Sequence, residues 1–92
     1  MVVRILHEGQ YDVGAEALQR LNTLDEQAFD AVAEGNEQRF RGLFDQILQV
    51  VRGEGKPLGI EDLRPSELVL PAPDSTMEEV RTLFTEEGLI QA

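Results

Sequence analysis

The chain contains no cysteine, no tryptophan and a single histidine. Without cysteine there are no disulfides, no zinc–thiolate sites and no thiol nucleophile. One histidine provides no second imidazole for a zinc site of the usual kind. Aromatic residues are scarce, four Phe and one Tyr, so an interior must be built mainly from Leu, Val, Ile and Ala. No long apolar run occurs near the N-terminus, where Arg4 and His7 interrupt the short ones. Neither a secretory signal nor a membrane-spanning helix is expected, and the lack of cysteine suits a reducing, cytoplasmic setting. Basic residues are also few: eight Lys and Arg stand against eighteen Asp and Glu, a formal net charge of −10. Residues 1–46 and 47–92 each carry nine acids and four bases, so the acidity is spread along the chain rather than confined to a tail. Such a surface repels phosphate backbones and anionic lipid, which excludes nucleic acid and direct membrane insertion as expected partners. A basic protein partner is favoured electrostatically, although the same acidity would serve solubility alone.

Ninety-two residues make one domain, and a chain of this size buries only about 60–65% of its unfolded surface, enough for one core. Its opening reads as a hairpin: a strand from Val2 to His7, a turn at Glu8-Gly9 and a return strand from Gln10 to Val13. A lone hairpin is marginal in water, so helices must cover one of its faces. The apolar spacing predicts a first helix over 15–34, with Asp12 or Gly14 near its N-cap and Gly35 just past its end. Ala17, Leu18, Leu21, Leu24, Ala28, Phe29, Ala31 and Val32 span an arc of about 160° at 100° per residue. Asn36 then caps a second helix over 37–52 whose apolar arc runs from Phe40 to Val51. So short a connection makes an antiparallel helical hairpin. All four prolines and Gly59 lie between residues 57 and 73, around the apolar run Leu68–Leu70. That run is expected as a third, edge strand, since Pro71 cannot donate to a central ladder. Ser75-Thr-Met-Glu78 reads as a capping box opening a last helix, with Met77, Val80, Leu83 and Phe84 inward and Gly88 closing it. The expected fold class is α+β: a small antiparallel sheet packed against a helical hairpin and a C-terminal helix.

Candidate chemistry is sparse. His7, Glu8, Tyr11 and Asp12 form one polar cluster, but adjacent strand residues point to opposite faces, which separates His7 from Glu8. No calcium loop of the Asp-x-Asp-x-Asp-Gly kind is present, and Gly53-Glu-Gly55 lacks the Lys-Ser/Thr of a phosphate loop. No catalytic residue, cofactor or metal is expected. The remaining candidates are acids. Glu26, Asp30 and Glu34 recur at i, i+4, i+8 and stack like charges along one line of the first helix. They read either as a solvated face or as a landing strip for a basic helix. Asp25 falls inside the apolar arc, where an unpaired carboxylate costs several kcal/mol. It reads as an internal salt bridge, a rim position or a partner contact.

Three stretches, taken in order, carry a resemblance: Val3-Arg-Ile-Leu-His-Glu-Gly-Gln-Tyr-Asp-Val13, Leu63-Arg-Pro-Ser-Glu-Leu-Val-Leu-Pro71, and Asp74-Ser-Thr-Met-Glu-Glu-Val-Arg-Thr-Leu-Phe-Thr-Glu-Glu-Gly-Leu-Ile90. With Leu21-Asn-Thr-Leu-Asp25 and the Gly35 turn between them, the chain resembles the small PspA-associated proteins, the PspAA family. The resemblance implies a non-catalytic accessory protein that binds a phage-shock-protein-A-type, coiled-coil membrane-stress protein, and regulates it or holds it at the inner membrane. It assigns no catalytic or contact residues. A self-associating homodimer without another partner is the alternative reading.

Overall fold

A computed structural model describes residues 1–59 and 65–81. The chain runs β1 (Val2–Ile5), β2 (Gly9–Asp12), α1 (Ala15–Glu34), α2 (Glu37–Glu54), β3 (Lys56–Leu58), β4 (Leu68–Leu70) and α3 (Met77–Arg81). The α+β class holds, with a sheet of four strands in the order β3-β2-β1-β4. Two features differ from the sequence expectation. β4 lies at an edge but pairs parallel to β1, so the sheet is mixed rather than antiparallel. β3, with Pro57 at its centre, extends the other edge by pairing antiparallel with β2. Three residues of low strand propensity give no alternating pattern to read, and an edge is where proline is tolerated.

The hairpin turn also falls earlier than the Glu8-Gly9 reading. The Glu8 amide donates to the Ile5 carbonyl at 3.0 Å, closing a turn through Leu6 and His7. His7 has φ 67, the left-handed value that the third position of a type II turn demands. Gly9, at φ 153, already belongs to β2 and faces Ile5 across the ladder.

Helix ends follow their local chemistry. Gly35 adopts φ 70 at the end of α1. Its amide reaches the Val32 carbonyl while that of Asn36 reaches Ala31, the paired bonds of a Schellman motif. Asn36 then accepts from the Arg39 amide at 3.0 Å as the N-cap of α2. α2 runs two residues beyond the expected end and stops at Gly55. A Cβ there would sit 2.3 Å from the Val51 carbonyl oxygen and 3.0 Å from Tyr11, so glycine is required for the chain to turn into β3. At α3 the capping box is shifted by one residue. Thr76 Oγ1 accepts from the Glu79 amide, and Glu79 accepts in return from the Thr76 amide, in place of Ser75 and Glu78. Met77 and Val80 are buried as expected; Leu83, Phe84 and Gly88 lie outside the described residues.

The core forms where the helix pair covers one face of the sheet. Val3 and Ile5 of β1 pair with Leu68 and Leu70 of β4, and all four are buried in one cluster with Leu21, Ala28, Phe40, Phe44, Ile47 and Val51. Arg4 and Val69, paired between them, take the opposite face, as the two-residue period requires. Phe40 and Phe44 stack with ring centroids 5.5 Å apart. Arg41 lies over the Phe44 ring and donates to the carbonyls of Pro73 and Ser75, which ties the β4–α3 connection to α2.

The left-handed conformation at His7 costs a residue with a Cβ about 1 kcal/mol. Replacing His7 by Gly is therefore expected to raise stability by up to about 1 kcal/mol, offset in part by a freer unfolded chain. His7→Val should lower it by at least about 1 kcal/mol, because β-branching makes that backbone region still less accessible. Urea unfolding of the three proteins reads both changes.

Candidate functional site

The acids singled out on α1 separate into two environments. Glu26 and Asp30 are exposed on the outer side of the helix. Glu34, also exposed, pairs with Arg39 of α2 at 2.9 Å, across the Gly35-Asn36 connection. Asp25 does not share their surface. Its residue is 2% exposed, the one charged residue in the buried set among the described residues. Asp25 is not left without an interaction inside the chain, as a buried carboxylate requires. The line Glu26, Asp30, Glu34 is thus a surface feature, and Asp25 is placed where a docking protein would not reach it.

The polar cluster at the hairpin is divided by the turn, since His7 and Glu8 lie outside both strands and His7 takes the left-handed position. Glu8 takes both oxygens to the Arg52 guanidinium near the end of α2, with Nε to Oε2 at 2.8 Å and Nη2 on Oε1. The Tyr11 hydroxyl donates to the same Oε2 at 2.9 Å. The hydrogen bonds from Arg52 hold the Glu8 carboxyl below the usual carboxylate range, against the opposing effect of partial burial, and raise Arg52 in turn. Partial burial, with the Glu8 charge beside it, pushes the Tyr11 phenol up. His7 stands apart, lining a shallow hollow of about 400 Å3 with Leu6, Pro71 and Asp74. Glu8, Tyr11 and Arg52 therefore form a strut between hairpin and helix. Arg52 was the missing member, forty-four residues from Glu8 in sequence and without any local signal. Among the described residues no group of three His, Asp or Glu side chains comes together to hold a metal ion.

A larger depression lies along the solvent side of the helix pair. It has a volume of about 850 Å3 and runs between α1 and α2. Thr23, Leu24 and Gln27 line it from α1, and Gln46, Gln49 and Val50 from α2. Arg20 and Glu54 join the two helices at one end, with Nε to Oε2 at 3.0 Å; Glu34 and Arg39 join them at the other. Leu24 and Val50 are half-buried and rest on the core below. Leu24 and Val50 belong to the expected apolar arcs, whereas Thr23, Gln27, Gln46 and Gln49 do not, because exposed amides and hydroxyls on a polar helix face have no periodic or charge signature.

The arrangement is that of a small sheet carrying a pair of helices with an open seam between them. The family model of the PspA-Associated protein, PspAA, matches residues 1–92. The chain belongs to the PspAA family. No curated protein and no solved structure matches the chain. The PspAA description names an association with PspA. Among the described residues, no helix is long and apolar enough to cross a membrane.

The Glu8 strut has a defined pH dependence. A carboxyl whose folded pKa is depressed contributes stability that is fully present above its unfolded value, about 4.3, and is lost as pH falls through the lower folded value. Glu8→Gln is expected to cost about 0.5–1 kcal/mol at neutral pH, a modest figure because the Arg52 side chain is 41% exposed and water screens the pair. The difference between wild type and variant should shrink below about pH 4. Urea midpoints measured from pH 3 to 7 would show this convergence; a gap independent of pH would contradict the strut.

Proposed function

We propose that this chain is a non-catalytic accessory protein that binds a phage-shock-protein-A-type coiled-coil membrane-stress protein, and regulates or localises it. The observation that carries this reading is the PspAA match over the whole of residues 1–92. The physical character of the surface supports it. A formal charge of −10 disfavours nucleic acid and anionic lipid as direct partners and favours a basic protein surface. The protein's place in the cell is then cytoplasmic, and peripheral at the inner membrane only through that partner.

Glu26, Asp30 and Glu34 act in this reading by steering. Charges on the rim of an interface change the rate of encounter and its dependence on salt more than they change the final contact. Glu26 and Asp30 are available for that role as they stand, whereas Glu34 shares its charge with Arg39. Asp25, buried in α1, contributes to the folded helix instead.

The triple variant Glu26→Lys, Asp30→Lys, Glu34→Lys is the test. Its association with the purified PspA-type protein, followed by surface plasmon resonance from about 20 to 500 mM salt, should be slower by roughly tenfold at low salt. The steep salt dependence of the wild-type rate should be lost. An unchanged rate would make the acidic line a solvated face. No binding by the wild-type protein would remove the proposed function itself.

A further inference from the structure

The open seam between α1 and α2 combines a form, a composition and a frame that its place in the fold does not require. From Glu16 to Gln27, two of the residues that line it, the seam extends about 17 Å, three turns of helix at 1.5 Å per residue. Glu16, Arg20 and Glu54 charge one end of the seam, yet the remainder is uncharged apart from its flank. Thr23, Leu24 and Gln27 face Gln46, Gln49 and Val50 with no ionisable group among the six. An ion pair between the helices, Arg20 with Glu54, crosses the charged end of the seam, and Glu34 pairs with Arg39 beyond its lining residues, at the connection between the helices. An uncharged stretch with partly apolar footing, bordered by charges at one end, is the composition of a protein-binding patch. On one flank, Asp30 lies about 60° round α1 from Gln27, with Glu26 beyond it, at 100° per residue. That flank is acidic and exposed.

The geometry points to this seam as the seat of one amphipathic helix from the partner, laid between α1 and α2 as the third member of a three-helix packing. The inference rests on the proposed association with a PspA-type protein and states where and how that protein is held. A straight trough between two antiparallel helices accepts the ridges of a third helix, and an extended strand would leave its backbone groups without a sheet edge to pair with. The bound helix presents small or aliphatic side chains to Leu24 and Val50. Beside them it offers polar groups to the four amide and hydroxyl side chains. Lys or Arg on one flank lies toward Asp30 and Glu26. The charge on that flank fixes which way round the helix lies, since the α2 side of the seam carries no matching acidic line.

The absence of native cysteine makes the test direct. Single variants Gln27→Cys and Gln46→Cys place a thiol in the seam, and Val69→Cys, at a position 48% exposed on the far face of the sheet, is the reference. Maleimide labelling is timed for each variant, alone and with saturating purified PspA-type protein, and binding is followed separately by co-sedimentation. The seam thiols should react at least ten times more slowly in the complex, and the Val69→Cys thiol at its original rate. A photo-cross-linker on Gln46→Cys should mark partner residues three or four apart, the spacing of one helix face. Unchanged seam labelling while the proteins co-sediment would overturn the seam and leave the association standing. Cross-links to a non-helical segment would overturn the helical occupant. A failure of the wild-type proteins to co-sediment would overturn the association and, with it, the seat assigned here.

Discussion

Phe40, Phe44, Ile47 and Val51 on α2 gather with Val3, Ile5 and Leu70 of the sheet and Leu21 and Ala28 of α1 in one buried cluster. Every other part of the structure depends on that contact between helix pair and sheet. Neither half is stable alone: short strands need a covering face, and isolated helices of 18 to 20 residues are marginal without tertiary packing. A domain of this size has no apolar surface to spare for a second core. Its inward faces are therefore committed to holding the fold. The polar outer side of α1 and α2 is left for other work.

That division explains the character of the individual charges. Those that tie elements together are paired across the chain: Glu8 with Arg52, Arg41 with the carbonyls of Pro73 and Ser75, Arg20 with Glu54. Arg4 does the same across the sheet, donating to Ser66, so that among the described residues four arginines hold distant segments together. Glu26 and Asp30 stay exposed on α1, in a chain with more than twice as many acids as bases. The excess negative charge is directed at the surroundings, and so is the seam between the helices. Membership of the PspAA family gives those surroundings their proposed identity.

Much of this was legible in the residues, and the limits have physical causes. The 3.6-residue apolar period and the Gly35-Asn36 punctuation set α1 at 15–34 and began α2 at 37, because helix signals are local. Leu68–Leu70 was recognisable as an edge strand from Pro71, but its direction depends on a connection that the sequence does not describe, and it runs parallel. β3 escaped notice because Lys56-Pro57-Leu58 has neither alternation nor strand propensity. The capping box was read one residue early, since Ser75-Thr76 followed by Glu78-Glu79 satisfies the pattern in two registers and only packing selects between them. Asp25 was visible as an anomaly in the apolar arc, and it is buried with an interaction inside the chain. Arg52, the partner of Glu8, and the amides of the seam were not visible, because both depend on long-range contacts without local pattern.

The proposed function places a PspA-type protein on the outer surface of the helix pair, which the core contact braces from below. Hydrogen–deuterium exchange of the chain, free and saturated with that protein, tests it most directly. Added protection is expected along α1 and α2, concentrated between Thr23 and Asp30 and between Gln46 and Val50, with β1 and β2 exchanging as in the free protein. Protection confined to the sheet, with the helix amides unchanged on binding, would contradict it.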